Sequence, residues 1–249
     1  MDSIKDIIKQ EYARCAKDPV HFAKKYCQIQ HPKRGKIPFH LYPFQEKVLN
    51  LFQKHPWSII LKSRQLGIST LVAEFALWMM LFHENRTILV ICTKQDTAKN
   101  MVQKVAFMWE NLPSWLNDKK KSKENNKLSL TLLNGSKIVA ASAASDSARS
   151  YASSMLIIDE AAFIENIEET FTAASQTLAT GGNCIVLGTP YGTGNWFHKT
   201  WVKAENNVEN NKFIPIRLPW NVHPERNQQW RNEQDVLLGP KMAAQECFS

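Results

Sequence analysis

The sequence predicts an α/β fold with a mainly parallel central sheet flanked by helices, followed by a small lid subdomain, and three observations carry that expectation. Apolar runs at residues 57–61, 155–158 and 184–187 read as strands buried on both faces. Helix-like segments alternate with these runs between about residues 57 and 190, the pattern that gives parallel strands. A chain of 249 residues is long enough for one large domain with an added subdomain.

Each element follows from local sequence. Residues 1 to about 40 read as helical and then irregular, with a basic turn at His31-Pro-Lys-Arg-Gly-Lys36. The run at 57–61 enters a tight loop, and an apolar helix-like run at 71–82 leaves it. Glu74 interrupts that run, the longest apolar stretch in the chain, which is too short to span a membrane. Residues 97–112 read as a helix; the lysine run Lys119-Lys120-Lys121-Ser-Lys123 then reads as a solvated loop. Leu128 to Leu133, Asn134-Gly135 and the run from Lys137 have the form of a hairpin. Beyond Trp201 the chain turns Asn- and Trp-rich and is broken by Pro215, Pro219, Pro224 and Pro240. The expected division is therefore 1–56, a core at 57–200, and a lid at 201–249.

The loop carries the first chemistry. Lys62-Ser63-Arg64-Gln65-Leu66-Gly67-Ile68-Ser69-Thr70 lies between a strand and a helix, where backbone N–H groups and a helix N-terminus converge on an anion. In the pattern G-x-x-x-x-G-K-[ST], Gly67 is the second glycine and Ser69 the hydroxyl. Lys62 takes the first glycine's place and Ile68 the lysine's, so the cation has moved to the other end of the loop. A loop wrapped round a phosphate brings both ends near it, which makes Lys62 the candidate for the β- and γ-phosphates.

Met155-Leu-Ile-Ile-Asp159-Glu160 ends a buried strand in two carboxylates, at the edge where open α/β sheets bind ligands. Asp159 suits Mg²⁺ beside the Ser69 hydroxyl, and Glu160 suits proton removal from an attacking water. Capping of the following helix is the blander use of the same acids; the upstream loop tips the reading towards catalysis. Gln45, in Leu41-Tyr-Pro-Phe-Gln45, offers the donor–acceptor pair that an adenine edge needs. Arg149, shortly before the acid strand, is a candidate for transition-state charge. Thr189, in Gly188-Thr-Pro190 after the third strand, is placed to sense the γ-phosphate and pass on its loss.

These motifs, in this order, resemble the ATPase domain of the large terminase subunit of tailed bacteriophages, most closely the T4-like branch. The family's adenine glutamine corresponds to Gln45, its loop to residues 63–70, its Asp-Glu strand to Asp159-Glu160 followed by Ala161-Ala162-Phe163, and its coupling motif to Gly188-Thr189-Pro190. The segment Phe22-Ala-Lys-Lys-Tyr-Cys27 is similar to one that precedes the glutamine in T4-like members. Ile68 departs from most members; lambda-like terminases resemble this chain in placing the lysine at the loop's beginning. The resemblance implies a P-loop NTPase fold of the RecA/ASCE type, with ATP and Mg²⁺ held by the loop, Ser69 and Asp159. It implies action of Arg64 within the subunit or of Arg149 on a neighbour, without deciding between them. It also implies translocation of double-stranded DNA into a procapsid in the cytoplasm of the bacterial host, by a ring assembled on the portal protein with the small terminase subunit. Family members continue into a nuclease domain; this chain lacks a further acidic cluster for it, and no DNA cleavage is expected. A helicase of the Asp-Glu-Ala-Asp type and a non-catalytic nucleotide- or DNA-binding module are the alternatives.

Bulk properties agree with a polyanionic partner. The formal net charge is +8. Five scattered cysteines without C-x-x-C pairing speak against a disulfide framework and against zinc. His21, His40, His55, His83 and His198 lack metal-ligand spacing, and the polar start Met1-Asp-Ser-Ile-Lys-Asp is no signal peptide.

Overall fold

The computed structural model describes residues 3–117, 122–142 and 152–247. Helix α1 (Ile4–Lys17) is opened by a capping box in which Ser3 and Asp6 satisfy each other's backbone. Asp18 then caps α2 (Pro19–Tyr26), with Pro19 at its first turn. The stretch expected to be irregular is a hairpin instead, β1 (Gln28–His31) against β2 (Gly35–Pro38). Its strands carry too few apolar residues to show alternation, and the His31 ring accepts the Lys33 and Arg34 amides to shape the turn. Helix α3 (Pro43–Lys54) leads into β3 (Trp57–Lys62).

From there the chain alternates: α4 (Ile68–Phe82), β4 (Thr87–Cys92), α5 (Gln95–Glu110), β5 (Ser122–Asn125), β6 (Ser129–Leu132), β7 (Lys137–Ser142), β8 (Ser153–Ile158), α6 (Ile167–Gln176), β9 (Leu178–Gly188), α7 (Trp196–Glu205), β10 (Ile214–Leu218), α8 (Gln228–Leu238) and α9 (Pro240–Cys247). Eight strands form one sheet in the order β10-β3-β9-β8-β4-β7-β6-β5. It is parallel from β10 to β7 and antiparallel across the β5–β6–β7 meander. Side-chain alternation sends Ile60, Val90, Ile157 and Ile185 into a core under α3, α4 and α5. Ile59, Leu89, Leu156 and Val186 point the other way, into a core under α6 and α7. The result is three layers, helix–sheet–helix.

The segment expected to form a separate lid from residue 201 contributes the edge strand of this sheet, so the division at 200 cuts through a packed unit. Pro215 does not break that strand, because an edge strand tolerates a missing N–H on its outer side. Only α8 and α9, after β10, lie over the loop as a lid-like pair. Among the described residues, no helix is long and apolar enough to cross a membrane.

Candidate active site

Strand β9 separates the loop strand β3 from the acid strand β8. At about 4.8 Å per strand, their ends stand roughly 10 Å apart, a gap that α4 must bridge. Gly67 makes this possible. It adopts φ 72° as the N-cap of α4, and a Cβ there would meet Gln45 Nε2 at 2.8 Å. Having no side chain to cap with, it leaves the first N–H groups of α4, at Ile68 and Ser69, for an anion. Gln65 also adopts positive φ, 57°, in the turn before it.

Ser69 reaches across to the acids. Its Oγ donates to Asp159 Oδ2 at 2.8 Å. The other Asp159 oxygen accepts the Glu160 amide at 2.9 Å, and the Asp159 amide donates to Ile91 O at 3.0 Å. Asp159 is buried while Glu160, at φ 57°, turns its carboxylate outwards. A serine hydroxyl against a carboxylate is the hard oxygen pair that Mg²⁺ prefers, so these residues fit the ion.

Lys62 belongs to the same site. Burial pushes its ammonium down from the ordinary range, opposed by Asp159 and then Glu160, with Arg64 adding to the depression. Ile68 supplies no charge there: it is buried in the α4 core. Ser63 and Leu66 are buried, and Thr70 lines a neighbouring cleft. Thr189 is buried at the end of β9, between the loop strand and the acid strand.

Two expected residues are engaged within the chain. Gln45 Oε1 accepts the Tyr42 amide at 3.0 Å, and its Nε2 donates to Leu66 O at 3.0 Å. The amide thus ties α3 to the loop with one of its two N–H groups and one of its two oxygen lone pairs. Arg64 pairs through Nε with Glu246 of α9, and its amide donates to Glu246 O at 2.9 Å. Arg149 and Lys119, Lys120 and Lys121 lie outside the described residues.

Four further residues surround the site that sequence reasoning did not select. Arg226 lies over the Trp230 ring at 4.4 Å and donates to Ser63 Oγ, Arg64 O and Gln65 O at 3.2, 3.1 and 3.2 Å. With Glu246 it clamps the outside of the loop. Lys104 of α5 lines a cleft of about 490 Å³ with Thr70, Asn100 and Gln103. Burial lowers its ammonium too, and Asp159 is the main carboxylate opposing this. Thr93, past the end of β4, donates to Glu160 Oε2 at 3.3 Å. Lys104 left a faint signal, a polar face along α5; Thr93, Arg226 and Glu246 left none, because strand order and tertiary packing create their contacts.

A separate cluster lies at the other end of the molecule. Glu11, Cys15 and His21 bring ligand-type atoms within 4.8 Å of one another, although the sequence gives His21 no metal-ligand spacing. Glu11 Oε1 already takes His21 at 2.7 Å, Tyr26 at 2.8 Å and Lys25 at 2.9 Å, which describes an ion-pair network joining α1 to α2. All five cysteines are free and buried.

Comparison with known proteins gives the family and the fold. The family described as terminase large subunit, T4likevirus-type, N-terminal, matches residues 59–244. The large terminase ATPase domain of Thermus phage P74-26 superposes with a TM-score of 0.68 at 19% identity, covering 84% of this chain and 93% of that one. The large terminase of bacteriophage HK97 gives 0.73 at 15% identity, covering 94% of this chain and 53% of its own. That of the thermophilic bacteriophage D6E, in complex with ADP, gives 0.65 at 12% identity over 84% and 53%. The chain spans about half the length of these last two large terminases. The fold is that of a P-loop NTPase, and the chain belongs to the family of N-terminal domains of T4-type terminase large subunits.

Proposed function

We propose that the chain is the motor portion of a packaging machine, hydrolysing ATP to drive double-stranded DNA into a procapsid. The observation that carries the reading is the 2.8 Å bond from Ser69 to Asp159, across 90 residues of sequence, with Glu160 next along the chain. The α4 N-terminus and Lys62 hold the β- and γ-phosphates. Ser69 and Asp159 hold Mg²⁺, which neutralises phosphate charge when bound. Glu160 takes a proton from the water whose oxygen bonds to the γ-phosphorus, as the bond to the ADP oxygen breaks. Arg64, once released by Glu246, or Arg149 of a neighbouring subunit, meets the charge on the transferring group. Thr189 relays the loss of the γ-phosphate, and α8–α9 act as the lid. The partners proposed are the portal protein, the small terminase subunit and further copies in a ring, in the cytoplasm of the infected host. DNA cleavage is not assigned to these residues.

Glu160→Gln tests the assignment, because the amide keeps the shape and cannot take a proton. The expected loss in kcat is about 10²-fold or more, with ATP affinity retained. Turnover within a factor of about two of wild type would move the base elsewhere.

A further inference from the structure

The tip of the β1–β2 hairpin is fixed by its own turn. Ile29 anchors the first strand on the core under α3, α4 and α5. Pro32 sets the first corner, and Gly35, opposite His31, closes the turn at φ 66°. The His31 ring completes it, Nδ1 accepting the Lys33 and Arg34 amides at 3.1 and 3.2 Å. A ring nitrogen that accepts carries no proton, so Nε2 holds it and is a donor.

This tip is basic throughout. Lys33, Arg34 and Lys36 are exposed, and no acid occurs between Gln28 and Pro38. Neighbouring lysines come with acids, Lys24 with Glu46, Lys25 with Glu11 and Lys99 with Asp96; among the described residues, the three cations of the tip form no such pair. The cleft between hairpin and α5 continues the same chemistry. Gln30 and His31 line it opposite Asn100, Gln103 and Lys104, with no carboxylate among the described residues of its wall. Thr70, one residue past Ser69, lines it too, so a ligand held here lies beside the nucleotide loop.

We infer that the β1–β2 tip and the α5 wall beside it form a contact surface for the phosphate backbone of duplex DNA. This rests on the reading of the chain as a DNA motor and adds where the duplex is held. Like charges crowded without counterions repel one another, and a polyanion removes that repulsion. Cations and amide donors on phosphate carry no sequence information, which suits a motor that must move along any sequence. The fixed turn also spares the backbone the entropy of ordering on binding.

Anisotropy of a labelled duplex of about 30 base pairs, titrated with the whole chain between about 50 and 200 mM salt, tests this. Lys33→Gln, Arg34→Gln and Lys36→Gln together should weaken binding about tenfold or more at the lowest salt. The slope of log affinity against log salt should flatten by about 2–3, close to one per lost phosphate contact. Lys33→Arg with Lys36→Arg keeps the charge and should leave both quantities near wild type. Lys199→Gln, Lys203→Gln and Lys212→Gln together remove equal charge from the opposite face of the sheet, on α7 and beside Trp57. That control should change the slope by less than about one. All the substituted side chains are exposed, so every variant should melt as wild type does. Equal losses from the two triple variants, or a tip variant with wild-type affinity and slope, would overturn the surface and leave the motor reading standing. A loss confined to single-stranded RNA of the same length would overturn the choice of DNA. If the wild-type chain itself does not hold the duplex at the lowest salt, the motor reading fails and the surface with it.

Discussion

Relative to the standard loop, Ile68 stands where the lysine falls and Lys62 where the first glycine does. Ile68 packs into the α4 core, while Lys62 sits at the end of β3 near both acids. If Lys62 is the loop's cation, Lys62→Ala should lower hydrolysis by about 10²-fold or more and weaken ATP binding. Adding Ile68→Lys should restore part of it, since a lysine stem can lie along the core edge with its ammonium outside. That substitution loses the burial of an isoleucine, about 1.5–3 kcal/mol, so the double variant should melt earlier than wild type. A nearly silent Lys62→Ala with a severe Arg64→Ala, read from kcat and KM, would give the charge to Arg64 instead. Lys62 stands out in the sequence because a loop between strand and helix has only a few positions that could face a phosphate. The capture of Arg64 was not, because Glu246 lies at the far end of the chain and only the docking of α9 brings it near. Gln45 lies beside the loop, bonded to the Tyr42 amide and to Leu66 O in a way that no local pattern announces.

Among the elements, α4 holds the most unusual residue. Its apolar run made it legible as a buried helix, and Glu74 marked an interruption in that run; the interruption turns out to be fully buried, with neither carboxylate oxygen hydrogen-bonded. Burial raises its carboxyl well above the ordinary value of 4.5, and the charge of Asp18 adds to this. The folded chain therefore keeps a proton that the unfolded chain releases. The penalty is absent below the ordinary value and grows as pH rises from there towards the raised one. Glu74→Gln removes the titration, so its stability relative to wild type should rise between about pH 4 and about pH 8. Urea midpoints at the two pH values measure this. A difference from wild type that stays level between them would mean that the carboxylate has a partner when ionised. Elements with less apolar content were harder to read. The β1–β2 hairpin has one isoleucine per strand, and β10 carries a proline that signals a break until its place on the sheet edge is known.

For the whole molecule, composition and motif order pointed to the layered fold and to the two loops that face each other, but not to strand order. That β9 lies between the loop strand and the acid strand follows from pairings far apart in sequence, and Thr93 meets Glu160 only because β4 is the other neighbour of β8. Charge is legible at this scale and leads to the last prediction. A formal net charge of +8 favours a polyanion, and duplex DNA presents one negative charge per roughly 1.7 Å of its axis. If the motor grips that backbone, each phosphate contact releases a condensed counterion, and affinity falls steeply with added salt. The ATP site differs: its loop and acids are partly buried and are screened much less. Hydrolysis measured with and without linear duplex at about 50 and about 200 mM salt, the range over which such contacts weaken by orders of magnitude, should therefore separate the two. The DNA-stimulated part should largely disappear at the higher salt, while DNA-free hydrolysis changes by less than about a factor of two. Hydrolysis indifferent to DNA at both concentrations would argue against the motor reading. Stimulation that survives the higher salt unchanged would place the DNA contact in shape or base recognition and not in the basic surface.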